Sequence, residues 1–331
     1  MTWLFDLNKL KQGDILFSRS RNIGKAIAKA TKGPYSHVML YVGGTLIHAE
    51  RNGVWSKNPQ RITVEDPSLL NAFRLKNPLD ENSLISLEDF ARSKVGSLYS
   101  IPQAISTLRK PNSVVANEEQ FCSRLVAQSF RAVNIEIVDN PDFCTPNQIA
   151  NSKMLEAVIG CVRKASIKNI EFSKTKDYNL EIQKETYIWL RKVRDLTKRR
   201  GLKPIHTQND VNNLVIENPG LDKVIGNYVK STKYADYFDI DKKINPWRYD
   251  SAKFIKKILA TPFPLESLEI EKEINESQIE RYEKNLTGAE QNYQTGLSFF
   301  EIDLNLTNNI LKYLYDWRLS IFNAENFFQS S

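Results

Sequence analysis

Residues 36–50 have the sequence Ser36-His37-Val38-Met39-Leu40-Tyr41-Val42-Gly43-Gly44-Thr45-Leu46-Ile47-His48-Ala49-Glu50 and predict a β-hairpin. Apolar, partly β-branched residues on both sides of a Gly-Gly pair are typical of two strands joined by a tight turn. Both central positions of a type I′ turn need positive φ, which glycine adopts without strain. With Val42 opposite Thr45, His37 lies opposite Glu50, and alternation places His37, His48 and Glu50 on one face. The two histidines are then diagonal neighbours, about 7–8 Å apart at the backbone.

A second stretch supplies a candidate nucleophile for this face. It has the sequence Gln120-Phe121-Cys122-Ser123-Arg124-Leu125-Val126, and the apolar spacing that follows predicts a helix beginning near Cys122. If Asn117 caps that helix, Cys122 falls in the second turn; otherwise it falls in the first. A helix N-terminus and a nearby imidazolium both favour a thiolate.

These residues together predict a thiol site. A cysteine nucleophile needs a base, and the base needs a group that orients its ring. We predict Cys122 as nucleophile, His37 as base and His48 as the orienting residue, with Glu50 as a reserve orienting residue. The alternative is that Cys122 is a buried small hydrophobic residue and that the histidines are structural.

The remaining cysteines and histidine give no comparable pattern. Cys161 follows an apolar run and is expected to pack in a core, Cys144 falls in a predicted loop, and His206 is expected at the surface. Three cysteines and three histidines without short spacings do not form the pattern of a structural zinc site. The sequence therefore predicts no metal and no cofactor.

Composition is that of a soluble globular protein, with 41% hydrophobic and 26% charged residues. No apolar run of about 18 residues predicts a membrane span, and the first residues do not form a secretory signal. The expected location is the cytoplasm, or the exterior by a route that needs no signal peptide.

The basic charge is concentrated in the first half of the chain. Residues 1–164 hold 21 Lys and Arg against 15 Asp and Glu, whereas residues 165–331 hold 25 against 24. This excess favours an anionic cell wall or membrane surface as a partner. The basic run at 191–203 lacks interleaved aromatic residues and is more typical of a solvated helix face, so no nucleic-acid partner is expected.

The pattern changes near residue 165, where strand signals give way to long polar helices. We predict an α+β domain over 1–164 and a helical region of unknown function over 165–331. Individual helices are expected over 22–30, over 87–95 with Ser86 as cap, over 151–162 as a closing helix, and over 180–200.

The hairpin with its two histidines resembles the His-strand, turn, His-Ala signature of NlpC/P60 papain-like proteins. Because Cys122 follows the histidines, the chain is most similar to the circularly permuted branch, which is YiiX/YebB-like and related to lecithin–retinol acyltransferases. Three further segments resemble that branch, namely 11–16, 121–126 and 145–150, so the resemblance covers roughly residues 10–160. Met39 departs from it, since a small glycine is common at that position.

The resemblance implies an antiparallel sheet with a packed cysteine helix, and acyl transfer through a thioester. The leading expectation is an amide hydrolase acting on a bacterial cell-wall peptide. Such an enzyme fits a secreted effector toxin with a secretion or immunity partner. A lipid-directed acyltransferase or lipase with the same residues is the alternative. A non-catalytic papain-like binding scaffold is the second alternative.

Overall fold

A computed structural model describes residues 1–19, 34–100, 103–104 and 119–330 of the chain. The strands are β1 (Trp3–Phe5), β2 (Ile15–Ser18), β3 (His37–Tyr41), β4 (Leu46–Glu50), β5 (Gly53–Lys57), β6 (Thr63–Val64), β7 (Leu70–Leu75), β8 (Leu155–Ala157) and β9 (Val162–Lys164). The helices are α1 (Glu81–Ser93), α2 (Cys122–Arg131), α3 (Pro146–Ala150), α4 (Ile167–Lys174), α5 (Tyr178–Arg199), α6 (Gln208–Glu217), α7 (Asp222–Lys230), α8 (Ile240–Ile244), α9 (Ser251–Leu259), α10 (Pro264–Tyr293) and α11 (Ser298–Ser330). The predicted α+β class, with a helical C-terminal region, is confirmed. The predicted helix over 22–30 and the proposed cap Asn117 lie outside the described residues.

The strands form two antiparallel sheets. The larger has the order β5-β4-β3-β2-β7-β8, and the smaller has the order β6-β1-β9. The hairpin β3–β4 therefore lies inside the larger sheet, with β2 on one side and β5 on the other. The candidate histidines are thus carried by interior strands, which hold a side chain more firmly than a loop does.

The turn and register of the hairpin agree with the prediction. Gly43 and Gly44 both have positive φ, at 60° and 75°. Tyr41 pairs with Leu46, and the N–H of Val42 donates to the carbonyl of Thr45 at 2.8 Å. The register predicted from the Gly-Gly turn is confirmed for these pairs.

Side chains of the hairpin alternate between two cores. Val38, Leu40 and Ile47 belong to a core that also contains Leu125 and Val126 of α2. The intervening residues lie in a second core, which contains Met39, Tyr41, Leu46, Phe5 and Leu16. Helix α2 packs on β3 and β4 from the first side. Met39, where the resembled family often has glycine, is a core residue here.

Helix α2 begins at Cys122, with Phe121 as an extended N-cap that makes no side-chain capping bond. The thiol thus lies in the first turn, which resolves the alternative left by the sequence. Arg124 fixes the approach to this turn although it is fully buried. Its guanidinium donates to the carbonyls of Glu119 at 2.7 Å and Asp142 at 2.8 Å. It also lies over the ring of Phe121, at 4.5 Å from the centroid.

One predicted helix has the wrong bounds and cap, and another is absent. The helix expected over 87–95 begins earlier, because the side chain of Asp80, rather than Ser86, accepts a bond from the N–H of Ser83. The closing helix expected over 151–162 is absent; that segment contains β8 and reaches β9. Leu155 pairs with Leu75 of β7 and enters the first core, so sheet pairing outweighs the helical pattern.

The chain divides into two compact units, and the division differs from the predicted boundary at 164. The first unit contains residues 1–190 and 201–210, and the second contains 191–200 and 211–331. The start of α5 belongs to the first unit because it covers the edge strand β5. The side chain of Gln183 accepts from the N–H of Ser56 at 2.6 Å and donates to its carbonyl at 2.9 Å. An edge strand protected in this way cannot pair with another chain at that residue.

The second unit is helical. Its two longest helices, α10 and α11, pack against each other, and α9 packs on α11. Its core contains Phe254 and Trp317. Arg248 joins α10 to this core, since it lies over the ring of Trp317 and pairs with Glu271 at 2.8 Å. Among the described residues, no helix combines the length and the apolarity needed to cross a membrane.

Candidate active site

The two hairpin histidines touch through their rings. Nε2 of His37 lies 3.1 Å from Nδ1 of His48. The ring centroids are 5.3 Å apart and the planes meet at 75°. His48 is 3% exposed, whereas the side chain of Glu50 is 55% exposed and its Oε1 lies 3.4 Å from Nδ1 of His48. Glu50 therefore approaches the second histidine of the pair, and the predicted direct pairing of Glu50 with His37 is absent from the β3–β4 ladder.

Both rings are held neutral at physiological pH. Burial, with a smaller contribution from the charge of Lys57, lowers the pKa of His37 to about 4. Burial also holds the pKa of His48 well below its usual value, with smaller contributions from His37 and Lys57. A neutral imidazole has one nitrogen free to accept a proton, which is the state that a general base needs.

Cys122 lies close to β3. It belongs to the first core, together with Val38, the residue after His37. The backbone N–H of Val38 opposes the rise in the pKa of the Cys122 thiol. The β3–β4 ladder contains only the pairs at Leu40 and Tyr41, and it stops before Val38. The thiol is therefore near the end of β3 that carries His37.

The electrostatic setting of the thiol differs from the expectation. The sequence favoured a thiolate, but burial raises the pKa of Cys122 to about 11. Backbone bonds from Val38 and from the first turn of α2 oppose this shift without overcoming it. At neutral pH the site therefore contains a neutral thiol and neutral rings, and deprotonation has to accompany the reaction.

This setting predicts a steep pH dependence for alkylation of Cys122. Only the thiolate reacts, so the rate with iodoacetamide is expected to rise about tenfold per pH unit from about pH 6 to pH 10. The rate of adduct formation at Cys122, measured by mass spectrometry, checks this. Because the raised pKa leaves the thiol protonated throughout this range, a plateau near neutral pH would contradict the assignment.

A cavity of about 540 Å³ lies beside His48 within the first unit, and its lining includes neither His37 nor Cys122. Its wall combines polar residues with an apolar side, and it is lined by His48, Glu50, Asn52, Trp55, Ser56, Lys57, Asp177, Leu180, Lys184, Tyr187 and Ile188. The rings of Trp55 and Tyr187 stack at 4.3 Å. The hydroxyl of Tyr187 donates to the carbonyl of Val54 at 2.7 Å. Residues beyond 165 thus help to form the wall next to His48.

Two residues of this region, Tyr99 and Lys57, were not predicted from the sequence. Tyr99 lies close to Cys122: burial raises the pKa of its phenol, and the thiol raises it further. Lys57 acts on both histidines through its charge. The register offers a signal for Lys57, which pairs with Leu46 and so shares the histidine face. No local pattern identifies Tyr99, because its position depends on a bridge to Gln120.

The other cysteines lie elsewhere in the first unit. Cys144 is buried, and its thiol donates to the carbonyl of Ser123 at 3.4 Å. Burial raises its pKa to about 12. Cys161 lies in the second core, as predicted. His206 precedes α6, and its backbone N–H donates to the carboxylate of Asp210 at 2.9 Å.

No protein-family model and no curated protein matches the chain. Among solved structures, the chain is similar to the metalloprotein yiiX from Escherichia coli O157:H7, described as DUF1105. The match has 16% sequence identity and a TM-score of 0.32, and it covers 45% of this chain and 97% of that chain.

Proposed function

We propose that the first unit is a cysteine-dependent hydrolase of the permuted NlpC/P60 type that cleaves an amide bond through a thioester. The observation that carries the proposal is the placement of Cys122. Cys122 begins a helix that packs on both strands of the hairpin, it lies in the core beside Val38, and the neighbouring His37 contacts a buried second histidine.

The proposed mechanism depends on which nitrogen of His37 is already hydrogen-bonded to His48. Nε2 of His37 contacts His48, so Nδ1 of His37 is the nitrogen available to take the thiol proton. The sulfur attacks the substrate carbonyl, and the backbone N–H of Cys122 stabilises the oxyanion. Collapse expels the amine, which receives the proton from His37. Water, deprotonated by the same ring, then hydrolyses the thioester and regenerates the thiol.

The leading substrate class is a bacterial cell-wall peptide. The basic excess of residues 1–164 supports a partner with anionic character. The cavity beside His48 presents both signs of charge, with Lys57 and Lys184 on one hand and Glu50 and Asp177 on the other. Such a wall suits a zwitterionic peptide.

An acyl lipid is the alternative substrate, and the apolar side of the cavity favours it. Leu180 and Ile188 line the wall together with the ring of Trp55, next to two lysines. An acyl chain with an anionic head group has the same combination of properties. The thioester chemistry would be unchanged, with an ester replacing the amide.

Incubation with purified peptidoglycan and, separately, with anionic phospholipid vesicles tests the choice. We expect new amine-terminated peptide fragments from peptidoglycan, detected by mass spectrometry, and none with Cys122→Ala. Release of fatty acid or lysolipid alone would favour the lipid alternative. Products from neither substrate, together with tight binding to one of them, would favour the non-catalytic scaffold.

A further inference from the structure

Three possible metal-ligand atoms, one each from His37, His48 and Glu50, lie close together. Nε2 of His37 lies 3.1 Å from Nδ1 of His48, which lies 3.4 Å from Oε1 of Glu50. All three atoms are within 4.8 Å of one another. Between two neutral rings there is room for a single N–H. If His48 carries that N–H, it has to donate to both the ring of His37 and the carboxylate of Glu50. If His37 carries it, the carboxylate faces an unprotonated nitrogen of His48. A metal ion could instead bind all three atoms at once.

We propose that His37, His48 and Glu50 bind a Zn²⁺-like divalent metal ion, and that the bound ion switches the thiol site off. Zinc sits about 2.0–2.2 Å from nitrogen and oxygen ligands, so adjacent ligands of a tetrahedral site are about 3.3–3.5 Å apart. The observed separations of 3.1 and 3.4 Å are close to this spacing. Two imidazoles and one carboxylate form a donor set that zinc uses with an open fourth position.

The fourth position has space and access. His48 and Glu50 both line the cavity of about 540 Å³, so water or a solute ligand can complete the coordination. Lys57 lies on the same wall and opposes a cation, which favours reversible binding over a permanent structural site. Replacement of Lys57 by methionine is accordingly expected to tighten metal binding.

Inhibition follows from the chemistry of imidazole and rests on the proposed function. A metal ion on Nε2 of a neutral ring leaves the ring proton on Nδ1. Nδ1 of His37 is then a donor and cannot take the proton of Cys122. The same ion occupies Nδ1 of His48, which otherwise fixes the base. The two roles of this cluster are therefore mutually exclusive.

Metal binding is tested first in the full chain carrying Cys122→Ala, so that the thiol cannot act as a ligand. Titration with Co²⁺, followed by its visible absorption, and calorimetry with Zn²⁺ are expected to show one ion per chain. His48→Ala is expected to abolish binding, and Glu50→Gln, at an exposed side chain, to weaken it at least about tenfold. His206→Ala, which alters the one histidine outside the cluster, is the matched control and is expected to bind normally.

No binding, or binding that is unaffected by His48→Ala and Glu50→Gln, would overturn the metal site. Because this measurement uses a chain without the nucleophile, its outcome is independent of whether the protein is a hydrolase. Circular dichroism of each variant separates lost coordination from lost folding, and the exposed position of Glu50 provides a variant whose fold is expected to persist.

The regulatory half is tested in the wild-type chain. Saturating Zn²⁺ is expected to slow product release at least about tenfold, and a chelator is expected to restore it. Glu50→Gln is expected to require a correspondingly higher Zn²⁺ concentration for the same effect. An unchanged rate of product release with the metal site saturated would overturn the inhibition.

Discussion

Replacing Cys122 with alanine is expected to reduce turnover at least about 10⁴-fold, on the scale seen when a covalent nucleophile is removed. The expectation follows from the proposed mechanism, in which the sulfur of Cys122 forms the thioester. Folding is expected to persist, because the change deletes one atom at the first residue of α2. The measurement is the initial rate of product release from the substrate identified above, with thermal unfolding recorded in parallel.

Cys144→Ala is the matched control for this experiment. Cys144 is also buried with a raised pKa, and its thiol contacts the carbonyl of Ser123, one residue from the nucleophile. We expect this variant to lose some stability and to keep turnover within about tenfold of wild type, since it only removes a small buried group. If Cys122→Ala keeps substantial activity, or if Cys144→Ala is the inactive variant, the assignment of the nucleophile is wrong.

The hairpin could be predicted because the information that specifies it is local. Gly43 and Gly44 select the turn, the turn sets the register, and the period of a strand sets the faces. The separation of β3 from β4 at Val38 could not be predicted in this way. The β3–β4 ladder ends before Val38, and no residue of the hairpin signals that end.

The extent of the first unit was missed for a related reason. Gln183 and Tyr187 have the spacing of an ordinary amphipathic helix, and nothing local distinguishes them from solvent-facing residues. Their partners are backbone groups of Ser56 and Val54 on the sheet edge. The pKa of Cys122 was misjudged because the sequence shows the helix N-terminus but not the burial that outweighs it.

Replacing His37 with alanine is expected to lower kcat/KM about 10²–10⁴-fold, the range for loss of a general base. In wild type the acid limb of the pH profile is expected near pH 4, because burial lowers the pKa of His37 to about 4. The direction follows from the charge: the neutral ring accepts the proton, so activity is present above this pKa and falls as the pH drops through it. In His37→Ala this limb is expected to disappear.

Variants of His37, His48 and Glu50 are expected to lose activity to different degrees. His48→Ala leaves the base in place but frees its ring, so we expect a smaller loss than in His37→Ala. The acid limb is expected to move upward, toward the ordinary histidine value of about 6.5, as solvent reaches the ring of His37. Glu50→Gln is expected to cost less than about tenfold, since its carboxylate is exposed and lies 3.4 Å from the second ring. The order His37, His48, Glu50 follows from a bond of 3.1 Å between the rings and from the burial of His48. If Glu50→Gln proves more damaging than His48→Ala, the carboxylate rather than His48 orients the base.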